Sequence, residues 1–247
     1  MSDPTGRVAL VTNVTQYAGP GSVEALAADG FRIAAHDQSF ADAAVRAAFA
    51  ADHPGWVVLP DADIVAAAGR ILADTGRVDV LVSNDYIKPS RTAFDDATVE
   101  GLRSGLEALL VVPFTLAKML APQMKAREAG AMIFITSAMA ARPSADGLIY
   151  GAGRTAATSM AASLAKELGP FNIQVNAIGP NFFKSDTYFS DERLRDSAGL
   201  QKVIRTQVPL RRLGRQDEMG ALVSLIASQR AMPITGQFIG FTAGWLP

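Results

Sequence analysis

The sequence predicts an α/β fold in which helices cover both faces of a doubly wound parallel sheet. Short apolar, β-branched runs alternate with Ala-rich stretches of helix formers, as in sheets whose strands are joined by helices. The runs contain few polar residues, which is typical of parallel strands buried on both faces. No linker, low-complexity tract or repeat divides the 247 residues. We therefore expect one Rossmann-like, three-layer domain over residues 1–247.

The alternation predicts seven strands and five main helices. The predicted strands are residues 7–12, 31–35, 56–59, 78–83, 131–136, 172–178 and 237–241. The predicted helices are residues 22–29, 41–51, 63–75, 96–127 and 149–168. Ligands of such folds bind beyond the carboxyl ends of the strands. Functional residues are therefore expected in residues 13–21, 84–89, 137–150, 179–188 and the C-terminal tail.

The composition excludes several classes of function. The 23 Lys and Arg residues balance 24 Asp and Glu residues, so no basic field exists to attract nucleic acid. The absence of cysteine excludes disulfides and thiolate sites, and His36 and His53 are too few for a histidine-based metal site. The polar residues 1–7 lack a signal peptide's apolar stretch, and the apolar run 109–114 is too short for a membrane span and is broken by Pro113. We expect a soluble, cytoplasmic protein with no metal, nucleic-acid or membrane partner.

The turn after the first predicted strand lacks the glycines of a dinucleotide site. A coenzyme needs glycines there so that the backbone approaches its pyrophosphate. Asn13 and Tyr17 stand at the early glycine positions, and Pro20 removes one N–H from the helix start. Two interpretations remain: an ordinary turn with an aromatic packed over it, or a nucleotide cleft rebuilt for a smaller ligand.

Two further coenzyme contacts are altered or ambiguous. The fourth predicted strand ends in Ser83-Asn84-Asp85-Tyr86, where nucleotide-binding proteins of this fold usually carry Asn-Asn-Ala-Gly. Asp37 follows the second predicted strand, at the place of a ribose-binding carboxylate. An Asp after a strand is more often a turn residue, so Asp37 carries little weight.

Ser137, Tyr150 and Arg154 are the candidate catalytic residues. Ser137 follows the fifth predicted strand, and Tyr150 and Arg154 are four residues apart at the start of the predicted helix 149–168. That spacing places both side chains on one helix face. The turn-rich loop 142–147 allows Ser137 to fold back beside Tyr150.

The chemistry of this set follows from acidity. A free tyrosine has a pKa of about 10, and a permanent guanidinium nearby favours the phenolate. Tyr150 can then act as a base toward a substrate hydroxyl, and as an acid in the reverse direction, while Ser137 holds the same oxygen. Asp85 either orients Arg154 through a charge-assisted hydrogen bond or serves as a turn residue.

The chain resembles the short-chain dehydrogenase/reductase superfamily over nearly its whole length. That superfamily carries Ser, Tyr and Lys with the Tyr and Lys four residues apart, and Arg154 stands at the lysine position. Two sets of residues resemble the paired signature motifs of the halohydrin dehalogenases: Ser137, Tyr150 and Arg154, and Thr12, Tyr17 and Gly19. That family has the same fold without the nicotinamide coenzyme, so the resemblance implies that no cofactor is used.

The resemblance implies that vicinal halo-alcohols are converted to epoxides with release of halide and a proton. It also implies epoxide opening by halide, azide, cyanide or nitrite. A halide pocket is then expected from the loop after the sixth strand, with aromatics whose edges suit a weakly hydrated anion and backbone N–H groups that form an anion nest. The pocket residues so implied are Tyr17, Pro180, Asn181, Phe182, Phe183 and Tyr188. Further candidates for the substrate or halide site are Thr12, Gly19, Asp85 and Trp245. Phe182 and Phe183 are alternatively plain core aromatics.

The resemblance further implies a homotetramer with the predicted helices 96–127 and 149–168 at an interface. Trp245 then either reaches a neighbouring subunit's pocket or packs locally. Residues 186–207 are expected to cover the site, in a conformation that the sequence does not predict. Two rival functions remain: an NAD(P)-dependent oxidoreductase with a degenerate glycine turn, and a non-catalytic reductase-like module.

Overall fold

A computed structural model describes residues 6–60, 63–87, 92–145, 147–230 and 233–246. Its sheet has seven strands, all paired in parallel, in the order β3-β2-β1-β4-β5-β6-β7. The strands are β1 (Val8–Val11), β2 (Arg32–Ala35), β3 (Val57–Val58), β4 (Val80–Ser83), β5 (Gly130–Ile135), β6 (Ile173–Pro180) and β7 (Phe238–Phe241). The chain runs outward from β1 to β3 and then crosses back to β4, so the order reverses between β1 and β4. The predicted doubly wound, Rossmann-like fold class is confirmed.

Each predicted helix has a counterpart, and three further helices lie in the C-terminal third. The helices are α1 (Gly19–Ala28), α2 (Ala43–Asp52), α3 (Ile64–Thr75), α4 (Val99–Leu106), α5 (Val112–Arg127), α6 (Leu148–Leu168), α7 (Asp191–Asp196), α8 (Ala198–Gln207) and α9 (Gln216–Ala227). The sequence did not predict α7, α8 or α9. Residues 1–5, Lys88, Pro89 and Asp146 belong to segments singled out above and lie outside the described residues.

The core forms two layers, one on each face of the sheet. Helices α3, α5 and α6 pack on one face, and α1 and α9 pack on the other. Every residue of β1, β4, β5 and β6 is buried. Successive side chains therefore enter opposite layers, as Leu10 and Val11 do. Burial on both faces explains why the strands read as unbroken apolar runs.

The helical run Val99–Arg127 is, among the described residues, the one stretch long and apolar enough to cross a membrane by length and composition. It lies in the layer on the sheet, where Leu116, Leu120 and Met124 are buried, so it has the character of a core helix. The expected break at Pro113 is wrong. Pro113 sits at the start of α5, directly after the π-helical turn Glu107–Val111, where its missing N–H is tolerated.

The segment after β6 folds over the carboxyl edge of the sheet. Phe182, Ile204 and Val208 form a separate buried cluster between this segment and the sheet. Leu200 and Val203 of α8 pack against the same cluster. This small third core holds α7 and α8 in place as a cover, here called the lid (α7 and α8).

Candidate active site

A cavity of about 700 Å³ opens beneath the lid, beyond the carboxyl ends of β5 and β6. This is where ligands of open α/β sheets bind. Nine of the residues singled out in the sequence line it: Tyr17, Ser137, Tyr150, Pro180, Asn181, Phe182, Phe183, Tyr188 and Trp245. Arg154 lies behind this wall, and Thr12, Gly19 and Asp85 do not line the cavity.

Ser137 stands where β5 ends and the chain turns. Its extended backbone precedes a short 3₁₀ turn, and its Oγ accepts a hydrogen bond from the Met139 N–H at 3.2 Å. That bond orients the side chain and leaves the hydroxyl proton free for another partner. The Ser137 hydroxyl and the Tyr150 phenol line the same cavity, and Ser137 lowers the pKa of Tyr150. The structure thus brings Ser137 and Tyr150 together as the loop length predicted.

Arg154 lies one turn below Tyr150 on α6 and is 1% exposed. Its Cζ atom is 5.0 Å from the centre of the Tyr150 ring. Its Nη1 donates to the carbonyl oxygen of Ile135 at 2.7 Å, at the end of β5. The strand therefore fixes the guanidinium beneath the phenol.

Electrostatics favour the ionised form of Tyr150. Burial by itself raises the pKa of Tyr150. The Arg154 charge lowers it, and hydrogen bonding with Ser137 and Tyr188 lowers it further. The balance holds the pKa of Tyr150 below its usual value. Burial also raises the pKa of Tyr17 and of Tyr188, and the charge of Tyr150 raises both further. Of these three phenols, Tyr150 is therefore the candidate proton acceptor.

Arg154 is a buried cation that lacks a carboxylate partner in the described part of the chain, and this explains the lowered pKa of Tyr150. No carboxylate of the described chain forms an ion pair with it, and its Nε and Nη2 have no hydrogen-bond partner there. A buried cation without an anion is costly. The Tyr150 phenolate supplies the missing negative charge, which is why the pair stabilises it.

Asp85 does not orient Arg154 as one interpretation expected. Its carboxylate accepts a hydrogen bond from Thr12 Oγ1 at 3.3 Å and a short one from Ser83, and none from Arg154. Burial raises the pKa of Asp85. Asp85 lines a second cavity of about 550 Å³, which Asn13 also lines. The carboxyl therefore ties β1 to β4 and does not face the main cavity.

The first turn is closed by its own residues. Tyr17 adopts a left-handed backbone (φ 52°), which is costly for an aromatic residue. That conformation turns its ring into the cavity, edge-on to Phe183 and Tyr188 at centroid distances of 6.0 and 4.9 Å. The backbone of residue 13 passes so close to residue 19 that only glycine fits there. A Cβ atom on Gly19 would lie 2.3 Å from the Asn13 carbonyl oxygen.

Thr12 and Gly19 were expected at the substrate or halide site, and the structure does not place them on the wall of the cavity. Thr12 is fully buried, and its hydroxyl accepts from the Asn84 N–H at 2.7 Å while donating to Asp85. It joins two strands, and Gly19 lets the turn close. Both act on the shape of the turn and neither contacts the cavity.

The residues of this turn do not fit a dinucleotide coenzyme. Asp37, at the ribose position, accepts four hydrogen bonds, from the backbone and hydroxyl of both Thr15 and Ser39 at 2.7–3.0 Å. Asn84 donates to the carbonyls of Asn13 and Gln16 and accepts from the Ala18 N–H. The groups that would hold ribose and pyrophosphate are thus already bound to one another.

Two backbone N–H groups of the loop after β6 are already bound within the protein. The Asn181 N–H donates to the Phe241 carbonyl at 3.1 Å, and the Phe182 N–H donates to Asn181 Oδ1 at 2.9 Å. Within the described chain no acceptor binds Asn181 Nδ2, which leaves that amide free on a residue lining the cavity. This amide and the aromatic side chains are therefore groups that can face an anion.

Phe182, Phe183 and Trp245 serve as packing residues and as cavity wall at once. Phe182 and Phe183 are 6% and 1% exposed, yet both line the cavity. Trp245 packs edge-on against Phe182 at 5.6 Å and lines the cavity of its own chain. The interpretation that Trp245 packs locally is therefore the one that the structure favours.

Several cavity residues were missed by the sequence analysis. The lid and the loop after β5 contribute Met139, Arg142, Phe189, Arg193, Leu200 and Val203. The spacing of Leu200, Val203 and Ile204 is the signal of an amphipathic helix, and it would have indicated α8. Nothing in the sequence pattern marks the two arginines.

Comparison with known proteins identifies the family. Residues 18–245 match a family model described as Enoyl-(Acyl carrier protein) reductase. A rabbit (Oryctolagus cuniculus) protein named Dehydrogenase/reductase SDR family member 4 is 30% identical over 252 residues, which cover 98% of this chain and 95% of that protein. The match to the human protein of that name covers 58% of its length at 31% identity. The chain belongs to the short-chain dehydrogenase/reductase superfamily.

Two solved structures are similar over nearly the whole chain. A halohydrin dehalogenase bound to ethyl (2S)-oxiran-2-ylacetate is 37% identical, with a TM-score of 0.92 and 96% of each chain covered. A protein described as a dehalogenation enzyme is 34% identical, with a TM-score of 0.91 and 98% of each chain covered. The two curated relatives named above are dehydrogenase/reductases by name, whereas these two structures are dehalogenases by name.

Proposed function

We propose that this chain is a coenzyme-independent halohydrin dehalogenase, a carbon–halogen lyase. The observation that carries the proposal is the pairing of a buried Arg154, which has no carboxylate partner among the described residues, with the Tyr150 phenol. The first turn supports it, because the Tyr17 ring occupies the edge of the cavity that a nicotinamide coenzyme would need. The dehalogenase structures at 34–37% identity support it as well.

The reaction proceeds without a covalent enzyme intermediate. The hydroxyl of a vicinal halo-alcohol binds between Ser137 and Tyr150, and the Tyr150 phenolate takes its proton. The resulting alkoxide attacks the adjacent carbon from behind, an oxygen–carbon bond forms, and the carbon–halogen bond breaks with its electron pair on the halide. The products are an epoxide, a halide and a proton, which Tyr150 returns to solvent.

The halide leaves toward the aromatic end of the cavity. Tyr17, Phe182 and Phe183 present ring edges there, and Asn181 offers its amide N–H. In the reverse direction Tyr150 donates its proton to the epoxide oxygen while halide, azide, cyanide or nitrite attacks carbon. The same anion site then positions the nucleophile.

One assay tests the proposal directly. Purified protein and a small vicinal bromo-alcohol are mixed without any coenzyme, and bromide and proton release are followed together. We expect equal amounts of both ions and an epoxide product. Release that requires added NAD(P) contradicts the proposal.

The second candidate function is an NAD(P)-dependent oxidoreductase, which the names of the curated relatives favour. It requires saturable NAD(H) or NADP(H) binding, measured by the fluorescence of the reduced coenzyme. We expect no saturation, because Asp37 and Asn84 are bound within the turn. A non-catalytic module would release no halide from any halo-alcohol.

We further propose one cytoplasmic domain that assembles as a homotetramer through α4, α5 and α6. Val99, Phe114 and Leu148 are apolar and exposed on these helices, as expected of a surface that a second copy covers. Light scattering should give the mass of four chains, and Phe114→Glu should dissociate them. Val45→Glu, at another exposed apolar position, is the matched control.

A further inference from the structure

A row of three aromatic rings with an arginine at each end lines the cavity. The Arg142 guanidinium lies 4.2 Å from the Trp245 ring centre, and Trp245 packs on Phe182 at 5.6 Å. Phe182 packs on Phe189 at 5.7 Å, and the Arg193 guanidinium lies 5.5 Å from the Phe189 ring centre. All five residues line the cavity. They come from the loop after β5, the C-terminal tail, the loop after β6 and the lid.

The two arginines at the ends of this row are held in place without being neutralised. Arg142 donates to the Trp245 carbonyl at 3.2 Å, and Arg193 donates to the Tyr188 carbonyl at 2.6 Å. Neither forms an ion pair with a carboxylate of the described chain. Each guanidinium has five N–H donors, so most of them remain free.

The described part of the cavity wall carries no carboxylate. None of the described residues lining the cavity is Asp or Glu. Nearby Asp191 is paired with Lys184 at 2.9 Å. A cavity lined by charge of one sign raises the local concentration of ligands of the opposite sign. The mouth is therefore suited to an anion, and the aromatic row between the arginines is suited to an apolar stem.

We propose that the preferred substrates are halo-alcohols or epoxides that carry a carboxylate, which both Arg142 and Arg193 attract to the cavity mouth and which either guanidinium can bind. This inference rests on the proposed dehalogenase function and names its substrate class. The planar guanidinium matches a carboxylate with two parallel hydrogen bonds. The halide departs toward Tyr17, Phe183 and the Asn181 amide, and neither arginine belongs to that set, so the two anions bind different groups.

The test compares 4-chloro-3-hydroxybutanoate with its neutral ethyl ester, by chloride release. The variants are Arg142→Gln, Arg193→Gln and the double variant, with Arg205→Gln, an exposed arginine outside the cavity wall, as the matched control. Each single variant should lower kcat/KM for the acid about two- to fivefold, because an exposed ion pair contributes little binding energy. The double variant should lower it about tenfold. The change should appear chiefly in KM. The ester and the control should change less than twofold.

The outcomes separate this inference from the proposed function. Equal losses for acid and ester, or no loss for either, overturn the carboxylate site while leaving dehalogenation intact. If neither compound releases chloride, the proposed function fails. In that case the affinities of the acid and of the ester, measured by calorimetry, test the carboxylate site independently of turnover. Tighter binding of the acid than of the ester, lost in the double variant, supports it, and equal affinity overturns it.

Discussion

The carboxyl edge of the sheet has two sides that use their polar residues in opposite ways. On the first-turn side (the ends of β1, β2 and β4), Asp37, Asn84 and Asp85 are hydrogen bonded to neighbours in the same turns. On the catalytic side (the ends of β5 and β6), Arg154 keeps two unpartnered nitrogens and Asn181 a free amide.

The difference indicates where chemistry takes place. Buried polar groups are normally satisfied within the protein, and groups that are not require a ligand or a reactive role to explain them. On the first-turn side these three residues have a structural role, because they hold the turns together. The catalytic side retains the unbalanced charge. Four substitutions test this contrast.

Removal of the Tyr150 hydroxyl should have the largest effect. Tyr150→Phe keeps the ring that packs edge-on to Tyr188 and removes the proton acceptor. We expect halide release to fall by about 10³-fold or more, since general bases contribute on this scale. Unchanged circular dichroism and thermal unfolding would show that the fold persists. Near-normal turnover would show that Tyr150 is not the base and that the chemistry takes place elsewhere.

Removal of the buried cation should have the next largest effect on rate. Burial raises the pKa of Tyr150, and the Arg154 charge is the first factor that lowers it. In Arg154→Gln the pKa of Tyr150 should therefore rise, so we expect an about 10²-fold loss at neutral pH. A base works when deprotonated, so the acid limb of the pH profile of kcat/KM should move to higher pH. Arg154→Lys should shift the acid limb less. If the acid limb does not move in Arg154→Gln, Arg154 does not lower the pKa of Tyr150.

Removal of the Asp37 carboxylate should affect stability and leave the rate unchanged. Asp37→Ala deletes four hydrogen bonds from Thr15 and Ser39. We expect a loss of about 2–4 kcal/mol in the free energy of unfolding in urea, with kcat/KM unchanged. Asp95→Ala, at an exposed Asp, is the control. A large loss of turnover with stability intact would place Asp37 on the catalytic side.

The smallest effect is expected where the two sides meet, at Tyr17. Tyr17→Gly suits the left-handed backbone and removes the ring at the cavity edge. Inhibition by bromide should weaken about two- to tenfold, the scale of one aromatic contact, whereas Tyr17→Phe should retain it. NADH should still fail to bind, because Asp37 and Asn84 remain hydrogen bonded. Saturable NADH binding would show that Tyr17 alone closes the turn.

Local sequence signals predicted most of the architecture. Strands β1 and β4–β6 are buried on both faces, so their apolar runs are clear, and the i, i+4 spacing of Tyr150 and Arg154 gives their shared helix face. Ser137 and Tyr150 were paired correctly because the strand end and the helix start constrain both. The prediction of a halide pocket came only from the family resemblance.

Other features depended on contacts between distant segments. Whether Asp85 points to Arg154 or to Thr12 is a matter of side-chain direction, which strand patterns do not encode. The Asn181 and Phe182 N–H groups were expected in a nest and instead donate to Phe241 and to the Asn181 side chain. The lid was missed because α7 has six residues and is held by tertiary packing.

The sequence by itself determined the parallel sheet, marked Tyr150 as the candidate base and gave a first turn without the usual glycines, because each follows from periodicity, spacing or the bulk of one residue. Only the tertiary structure decided which polar groups are already bound to others, and that Arg142 and Arg193 bracket one aromatic row. The physical reason is that hydrogen-bond satisfaction and charge balance are sums over neighbours, and the neighbours of these residues are brought together by the fold from segments far apart in the chain.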